Sequence, residues 1–146
     1  MRRATPDDLD AVMALETAIY PDDAWSSATM AAELANPYGH YLVETGEDDA
    51  IVAYAGLLAP LGTGQGDIQT VTVAPEARRQ GLARRLLSTL IDEARRRGAE
   101  ELFLEVRVDN EAAQALYREL GFEELSVRKS YYGQGIDALT MKLKVV

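Results

Sequence analysis

The sequence predicts an α/β (α+β) domain with a mixed central sheet of about six to seven strands and about four helices. Segments rich in β-branched and apolar residues alternate with segments of helical periodicity, in the order helices, strands, helix, strand, helix, strands. With 146 residues, the chain is long enough to close one substantial core. We therefore expect one domain over residues 1–146.

Two helices are expected before the first strands. The first begins after the capping residue Thr5 and ends at Tyr20. The second begins near Ser26 and ends at Asn36, because a residue that precedes proline leaves helical space. The strands that follow are predicted at residues 41–44 and 51–58, joined by an acidic turn.

The segment of residues 69–87 begins as a strand, continues as a short basic loop and restarts as a helix. The β-branched run at residues 70–73 predicts the strand, and the apolar spacing after Gly81 predicts a helix that ends at Gly98. Such a loop directs main-chain N–H groups and a helix dipole at one point, which suits a phosphate or pyrophosphate. It is no P-loop, since the Gly-Lys-Ser/Thr ending is absent. An ordinary exposed connection is the alternative.

The remaining third of the chain contains a strand, a helix and two further strands. Residues 102–106 form a nearly continuous apolar strand, of the kind covered on both faces, and Glu105 interrupts it. Asp109 or Asn110 is suited to cap the next helix, which ends at Gly121. The last two strands are predicted at residues 122–127 and 138–145.

The composition limits the chemistry that the protein can perform. The chain has no cysteine and one histidine, His40, so it has no disulfide or thiolate and little to build a zinc site from. We expect no bound metal. Any catalysis must therefore use carboxylates, tyrosines, hydroxyls or the main chain.

Charge is distributed unevenly along the chain. Residues 1–74 carry a formal charge of −10, residues 75–98 carry +4, and the whole chain carries −9. An acidic body argues against direct nucleic-acid binding, which needs basic surface. It suits a cationic partner beside one anion-binding segment, although acidity that only maintains solubility is an equal alternative.

We expect a cytoplasmic protein without a membrane partner. The first residues lack the apolar core of a signal peptide. No apolar run approaches the roughly 20 residues of a membrane helix.

Three residues are candidates for chemistry on their sequence context. A carboxylate among apolar residues, as at Glu105, loses hydration unless it is paired, and burial makes a carboxylate a stronger base. The alternative for Glu105 is a salt bridge, with Arg107 as the nearest candidate. For Asn110 and Tyr117, the sequence pattern alone favours structural roles, as a helix cap and a core aromatic.

Several motifs, in their order along the chain, resemble the GCN5-related N-acetyltransferases (GNAT). These motifs are VTVAP at 71–75, RQGLA at 79–83, LEVR at 104–107, Asn110, ALY at 115–117 and LGF at 120–122. The pair Trp25-Ser26 and the tail RKSYY at 128–132 are similar to the RimI type, the ribosomal-protein N-terminal alanine acetyltransferases. The resemblance spans nearly the whole chain and implies the GNAT fold with acetyl-CoA as donor.

The resemblance also implies a donor site. Main-chain groups of Val71, Thr72 and Val73 would hold the pantetheine arm of acetyl-CoA, and Asn110 would touch it. Amides of the basic loop would bind the pyrophosphate, and that loop consists of Arg79, Gln80, Gly81, Leu82, Ala83 and Arg84. One departure is visible, because Ala83 stands where the family pattern usually ends in glycine.

By the same resemblance, Glu105 is the general base and Tyr117 the general acid toward the departing thiolate. Whether Glu105 acts directly or through water is left open. The implied acceptor is a protein N-terminus, here the N-terminal alanine of a small-subunit ribosomal protein.

The acceptor side is less fully defined by the sequence. Trp25, Tyr131 and Tyr132 are candidate acceptor contacts, and Ala24 replaces the proline that is usual before the tryptophan. Lysine side chains or small amines are alternative acceptors, and a non-catalytic acyl-CoA-binding module is the alternative outside enzymes. The oligomeric state is left open.

Overall fold

The computed structural model describes residues 1–129, 131 and 135–145. In that part of the chain, a seven-stranded mixed sheet has the strand order β1-β2-β3-β4-β5-β7-β6. The strands are β1 (Arg2–Arg3), β2 (Gly39–Thr45), β3 (Ile51–Leu58), β4 (Gln65–Val73), β5 (Glu101–Arg107), β6 (Glu123–Arg128) and β7 (Ala138–Lys144). The helices are α1 (Leu9–Ile19), α2 (Ser27–Ala35), α3 (Leu82–Arg96) and α4 (Glu111–Glu119). The predicted fold class is confirmed.

The sequence patterns predict no strand at β1 and place the start of β4 too late, whereas the other strand bounds agree within two residues. The pair Arg2–Arg3 forms β1 against β2, a strand too short to show any periodicity. β4 begins at Gln65, five residues before the β-branched run, because residues 65–67 pair with β5 on one side and Asp67 pairs with β3 on the other. Pairing on both sides overrides the weak strand propensity of the Gln-Gly-Asp segment.

The prediction that β5 is covered on both faces is wrong. Alternate residues Leu102, Leu104 and Val106 are buried in the core. Their neighbours Phe103, Glu105 and the rest of the opposite face are only half-buried. β5 therefore has one face in the core and one face toward a cavity, with the period-two pattern of a half-covered strand.

A gap opens between β4 and β5. Their parallel pairing is limited to three positions, which end at Asp67 opposite Phe103. On its other side β4 pairs with β3 as far as Val73, but Gly56 faces Thr70 and Leu57 faces Ile68, so Gln69 is an extra residue. Such a bulge bends a strand and increases its twist. The bend carries the second half of β4 away from β5.

Two apolar clusters hold the sheet and helices together. The larger cluster lies between α3 and the central strands and includes Leu86, Leu90 and Leu102, all fully buried. The smaller cluster lies under α1 and α2 and includes Met30 and Tyr54. No helix within the described ranges is long and apolar enough to cross a bilayer.

A buried carboxylate connects the first helix to the sheet. Glu16 of α1 is 3% exposed, and its two oxygens accept hydrogen bonds from the Tyr54 hydroxyl of β3 and, at 3.0 Å, from the Trp25 main-chain N–H. Burial and the bond to Glu16 raise the pKa of the Tyr54 hydroxyl, which keeps it a donor. Glu16 therefore fixes the α1–α2 connection against β3.

We predict that Tyr54→Phe lowers the free energy of unfolding by about 1–3 kcal/mol, because the buried Glu16 carboxylate loses a donor. Urea denaturation followed by circular dichroism measures the change. Tyr38→Phe removes the same atom at a site that is 50% exposed and is expected to change stability by less than about 0.5 kcal/mol. Equal losses in the two variants would contradict a stabilising role for the Tyr54–Glu16 bond.

Candidate active site

The gap between β4 and β5 opens into a cavity of about 410 Å³. Its walls come from β4, β5, α4, the end of α1 and the connection to α2. Six residues that the sequence singled out lie on these walls, namely Trp25, Val71, Glu105, Asn110, Tyr117 and Tyr131. These residues are far apart in the sequence. They share one cavity because the two strands diverge there and leave a space that all six residues line.

Glu105 lies on the half-covered face of β5 with its side chain 24% exposed. Its Oε2 accepts a 2.8 Å hydrogen bond from the Thr140 hydroxyl of β7. Its Oε1 lies 3.4 Å from Nε of Arg128. The ion-pair partner is thus Arg128, and the Arg107 alternative is wrong because the Arg107 guanidinium reaches Asp109 and Asp23 instead.

Asn110 and Tyr117 are at the start and near the end of α4. The Asn110 side chain accepts a 3.1 Å hydrogen bond from the Ala113 N–H and caps the helix, as its structural interpretation predicted. Tyr117 is 8% exposed and meets Phe122 edge to face, with 6.0 Å between the ring centroids. Both residues also line the cavity, so their structural and functional interpretations are compatible.

The connection between α1 and α2 forms the opposite wall. Glu16 binds the Trp25 N–H, as described above, and Asp23 forms an ion pair of 3.1 Å with Arg107 of β5. The Tyr20 hydroxyl lies 3.1 Å from the Thr72 hydroxyl of β4. The connection is thus attached to β3 through Glu16, to β5 through Asp23 and to β4 through Tyr20. These contacts form on both sides of Ala24, although Ala24 replaces the usual proline.

The large cavity carries an excess of negative charge. Among the described residues that line it, the acidic ones are Glu16, Asp23, Asp67 and Glu105, and the basic ones are Arg107 and Arg128. Desolvation at the cavity wall, followed by the charge of Glu105, raises the pKa of the Asp67 carboxyl. A positively charged group is therefore the ligand that this cavity favours electrostatically. Within the same residues, no group of three or more acidic or histidine side chains is arranged to hold a metal.

A second cavity, of about 190 Å³, lies at the start of α3. Its lining includes Val73, Leu116 and five loop residues that the sequence assigned to the donor, Arg79, Gly81, Leu82, Ala83 and Arg84. Val71 of β4 and Tyr117 of α4 line the large cavity. Their near neighbours Val73 and Leu116 line the small cavity, so the two cavities adjoin along β4 and α4.

The local structure of the basic loop is suited to an anion. Arg79 and Gly81 adopt left-handed φ angles of 64° and 76°. The N-cap residue of α3 is Gly81, which has no side chain to cap the helix, so the first-turn N–H groups retain the partial positive charge of the helix end. The Arg84 guanidinium, however, is held by Glu119 of α4.

Two predicted site residues line neither cavity. Thr72 is buried with its hydroxyl against Tyr20, and Gln80 is exposed; neither lines either cavity. Tyr131 lines the large cavity beneath the guanidinium of Arg128, which lies 5.1 Å from its ring centroid. Tyr132 falls outside the described residues.

Sequence reasoning missed several residues of the large cavity. Glu16 had a detectable signal, because it follows Val12 by four positions and so shares the buried face of α1. Arg128 stands at the start of the RKSYY motif, but the sequence assigns it no role. Thr140, which binds Glu105 without lining the cavity, had no signal, since its position depends on how β5 and β7 pair.

Comparison with known proteins agrees with this architecture. The family model for the acetyltransferase (GNAT) family matches residues 9–122. The N-alpha-acetyltransferase RimI of Mycobacterium tuberculosis is 40% identical over 124 residues, which cover 83% of this chain and 76% of that protein. An uncharacterised protein of Mycobacterium leprae is 40% identical over 142 residues; the match covers 94% of this chain but only 38% of that protein's length.

The solved structures give the same result. The crystal structure of the ribosomal-protein-S18-alanine N-acetyltransferase from Escherichia coli superposes with a TM-score of 0.85 at 33% identity. The match covers 98% of this chain and 91% of that one. The chain therefore belongs to the acetyltransferase (GNAT) family, and its relatives there include RimI-type enzymes.

Proposed function

We propose that this protein transfers the acetyl group of acetyl-CoA to the N-terminal α-amine of a protein, and most readily to the N-terminal alanine of a small-subunit ribosomal protein. The observation that carries the proposal is the cavity between β4 and β5. It has a carboxylate, Glu105, and a phenol, Tyr117, on its walls, and it adjoins the uncapped N-terminus of α3. Membership of the acetyltransferase family supplies the reaction class.

The donor site fits the small cavity and the adjoining edge of β4. Amides of residues 79–84 would bind the pyrophosphate, because the first turn of α3 has no side-chain cap and the segment 75–98 carries +4. A Cβ added at Gly81 would meet no atom within 4 Å, so the loop is open there. Main-chain groups of residues 71–73 would hold the pantetheine arm, with Asn110 beside it.

Glu105 would be the general base of the reaction and Tyr117 its general acid. The thioester supplies the acetyl group. Glu105 takes one proton from the acceptor ammonium, directly or through water, and the freed amine nitrogen attacks the carbonyl carbon. Main-chain N–H near Val71 polarises the carbonyl, and Tyr117 donates its hydroxyl proton to the sulfur as the carbon–sulfur bond breaks. The acylated nitrogen then loses its second proton, which restores the Tyr117 hydroxyl, and the proton on Glu105 passes to solvent.

Two observations favour an α-amine as the acceptor. The large cavity has four acidic and two basic side chains among its described lining residues, which favours a cationic group. An α-amine, with a pKa of about 7.7–8.0, needs less help to lose its proton than a lysine at about 10.4. The names of the Mycobacterium tuberculosis and Escherichia coli relatives, which refer to α-amine and ribosomal-protein alanine acetylation, support the same choice.

We predict that Glu105→Gln and Tyr117→Phe each lower kcat by about 10²- to 10⁴-fold, since each removes one proton-transfer group. The Kd for acetyl-CoA, measured by calorimetry, is expected to change little. Steady-state thiol release with an alanine-terminated peptide gives kcat.

The chain provides matched controls for both substitutions. Glu101→Gln changes the same residue type on the same face of β5, at the end away from the cavity, where it pairs with Lys142. Tyr38→Phe is the control for Tyr117→Phe. Both controls are expected to retain wild-type kcat, and near wild-type turnover in Glu105→Gln and Tyr117→Phe would refute the assigned roles.

We predict that Gly81→Ala raises the Kd for acetyl-CoA by about 5- to 30-fold, because a side chain at φ 76° costs about 1–2 kcal/mol and distorts the amide array. Gly98→Ala is the control at the other end of α3. Gly98 has φ 81° and, like Gly81, no atom near an added Cβ. The two variants should lose similar stability, and a similar loss of acetyl-CoA affinity in both would place the donor site elsewhere.

An acceptor panel tests the choice of amine. We expect kcat/KM to be highest for a peptide with a free N-terminal alanine. Two other acceptors should react far more slowly. One is the same peptide with an acetylated N-terminus and an internal lysine, and the other is a polyamine. A preference for lysine or polyamine would identify another acetyltransferase activity, whereas acetyl-CoA binding without thiol release from any acceptor would indicate a non-catalytic module.

A further inference from the structure

The two carboxylate oxygens of Glu105 have partners of different kinds. Oε2 accepts a 2.8 Å hydrogen bond from the Thr140 hydroxyl, and Oε1 faces the Arg128 guanidinium at 3.4 Å. Thr140 is 9% exposed, whereas the Arg128 side chain is 58% exposed. One partner is thus part of the sheet interior and the other is at its surface.

Sheet register fixes the bond from Thr140. Glu105 of β5 lies directly opposite Thr140 of β7, so both side chains point to the same face at the distance of a cross-strand pair. A threonine side chain is stiff because it is branched at Cβ. The buried hydroxyl also needs a hydrogen-bond partner, and Glu105 supplies it. The carboxylate of Glu105 therefore has one oxygen whose position is set by the backbone.

The contact with Arg128 is of a weaker type. A distance of 3.4 Å between Nε and Oε1 exceeds that of a normal hydrogen bond. Arg128 ends the exposed edge strand β6, and its guanidinium also lies over the Tyr131 ring. An exposed ion pair of this kind is easily exchanged for another cation.

We propose that Thr140 is a positioning residue for Glu105 and that Arg128 is an exchangeable counter-ion. Thr140 holds Oε2 so that Oε1 is the oxygen presented to the acceptor ammonium, which displaces Arg128 from it. Oε1 then takes the ammonium proton, and the neutral amine keeps the electron pair with which it attacks. This inference rests on the proposed function, because it requires Glu105 to be the base.

Thr140→Val keeps the shape of the side chain and removes the hydroxyl, while Thr140→Ser keeps the hydroxyl. We expect Thr140→Val to lower kcat by about 10- to 100-fold at unchanged Kd for acetyl-CoA, the effect of losing a hydrogen bond to a charged group. Thr140→Ser should restore kcat.

The activities of the Thr140 variants are compared with the activity of Glu105→Gln. If Glu105→Gln is inactive and Thr140→Val has wild-type kcat, the positioning role is refuted and the proposed function stands. A Thr140→Val defect that Thr140→Ser does not repair also refutes it, since the hydroxyl would then be irrelevant. If Glu105→Gln itself is fully active, Glu105 is not the base. The mechanism in the proposed function is then refuted, and the positioning role of Thr140 is refuted with it.

Arg128→Met removes the charge and keeps an apolar stem. We expect the Kd of an alanine-terminated peptide, measured by calorimetry with CoA present, to fall about three- to tenfold because the ammonium no longer competes with Arg128. A peptide whose N-terminal amine is replaced by hydroxyl should show no gain. Arg118→Met, at an exposed pair with Glu124, is the control and should leave both values unchanged. An unchanged or raised Kd in Arg128→Met would refute the exchange.

Discussion

The feature on which the site depends is the short pairing between β4 and β5. Parallel strands normally continue their ladder, but here it ends at Asp67 opposite Phe103, where the extra residue Gln69 bends β4. β5 remains paired with β7 along its whole length, so the separation is caused by β4, which bends away from β5. The divergence uncovers one face of β5, exposes an edge of β4 and leaves room for the wall formed by Trp25 and its neighbours. An unbroken sheet would have no such cavity.

The uneven charge of the sequence becomes a spatial separation in the fold. The acidic first half contributes Glu16, Asp23 and Asp67 to the large cavity. The basic segment 75–98 contributes the loop and the first turn of α3 to the small cavity. The two cavities adjoin at β4, so the basic segment and the acidic side chains lie close together in the fold.

Local patterns predicted much of this structure, and long-range pairing limited the prediction. The strand over residues 51–58 and the helix after Gly81 follow from propensity and periodicity, and their bounds agree with β3 and α3. β1 and the start of β4 exist only because neighbouring strands pair with them. The same limit applies to the site: Glu105 is conspicuous as a carboxylate in an apolar strand. Thr140 and Arg128 become its partners only through the register of β7 and β6.

Two glutamates line the large cavity, and their surroundings distinguish the chemistry open to each. Glu16 is 3% exposed, and both of its oxygens accept hydrogen bonds from groups fixed by the fold, the Tyr54 hydroxyl and the Trp25 N–H. Both oxygens of Glu16 therefore hold the α1–α2 connection against the sheet. Glu105 is 24% exposed and has one fixed partner and one surface partner. Of these two glutamates, Glu105 is therefore the one whose carboxylate can contact a molecule in the cavity without loosening the cavity wall.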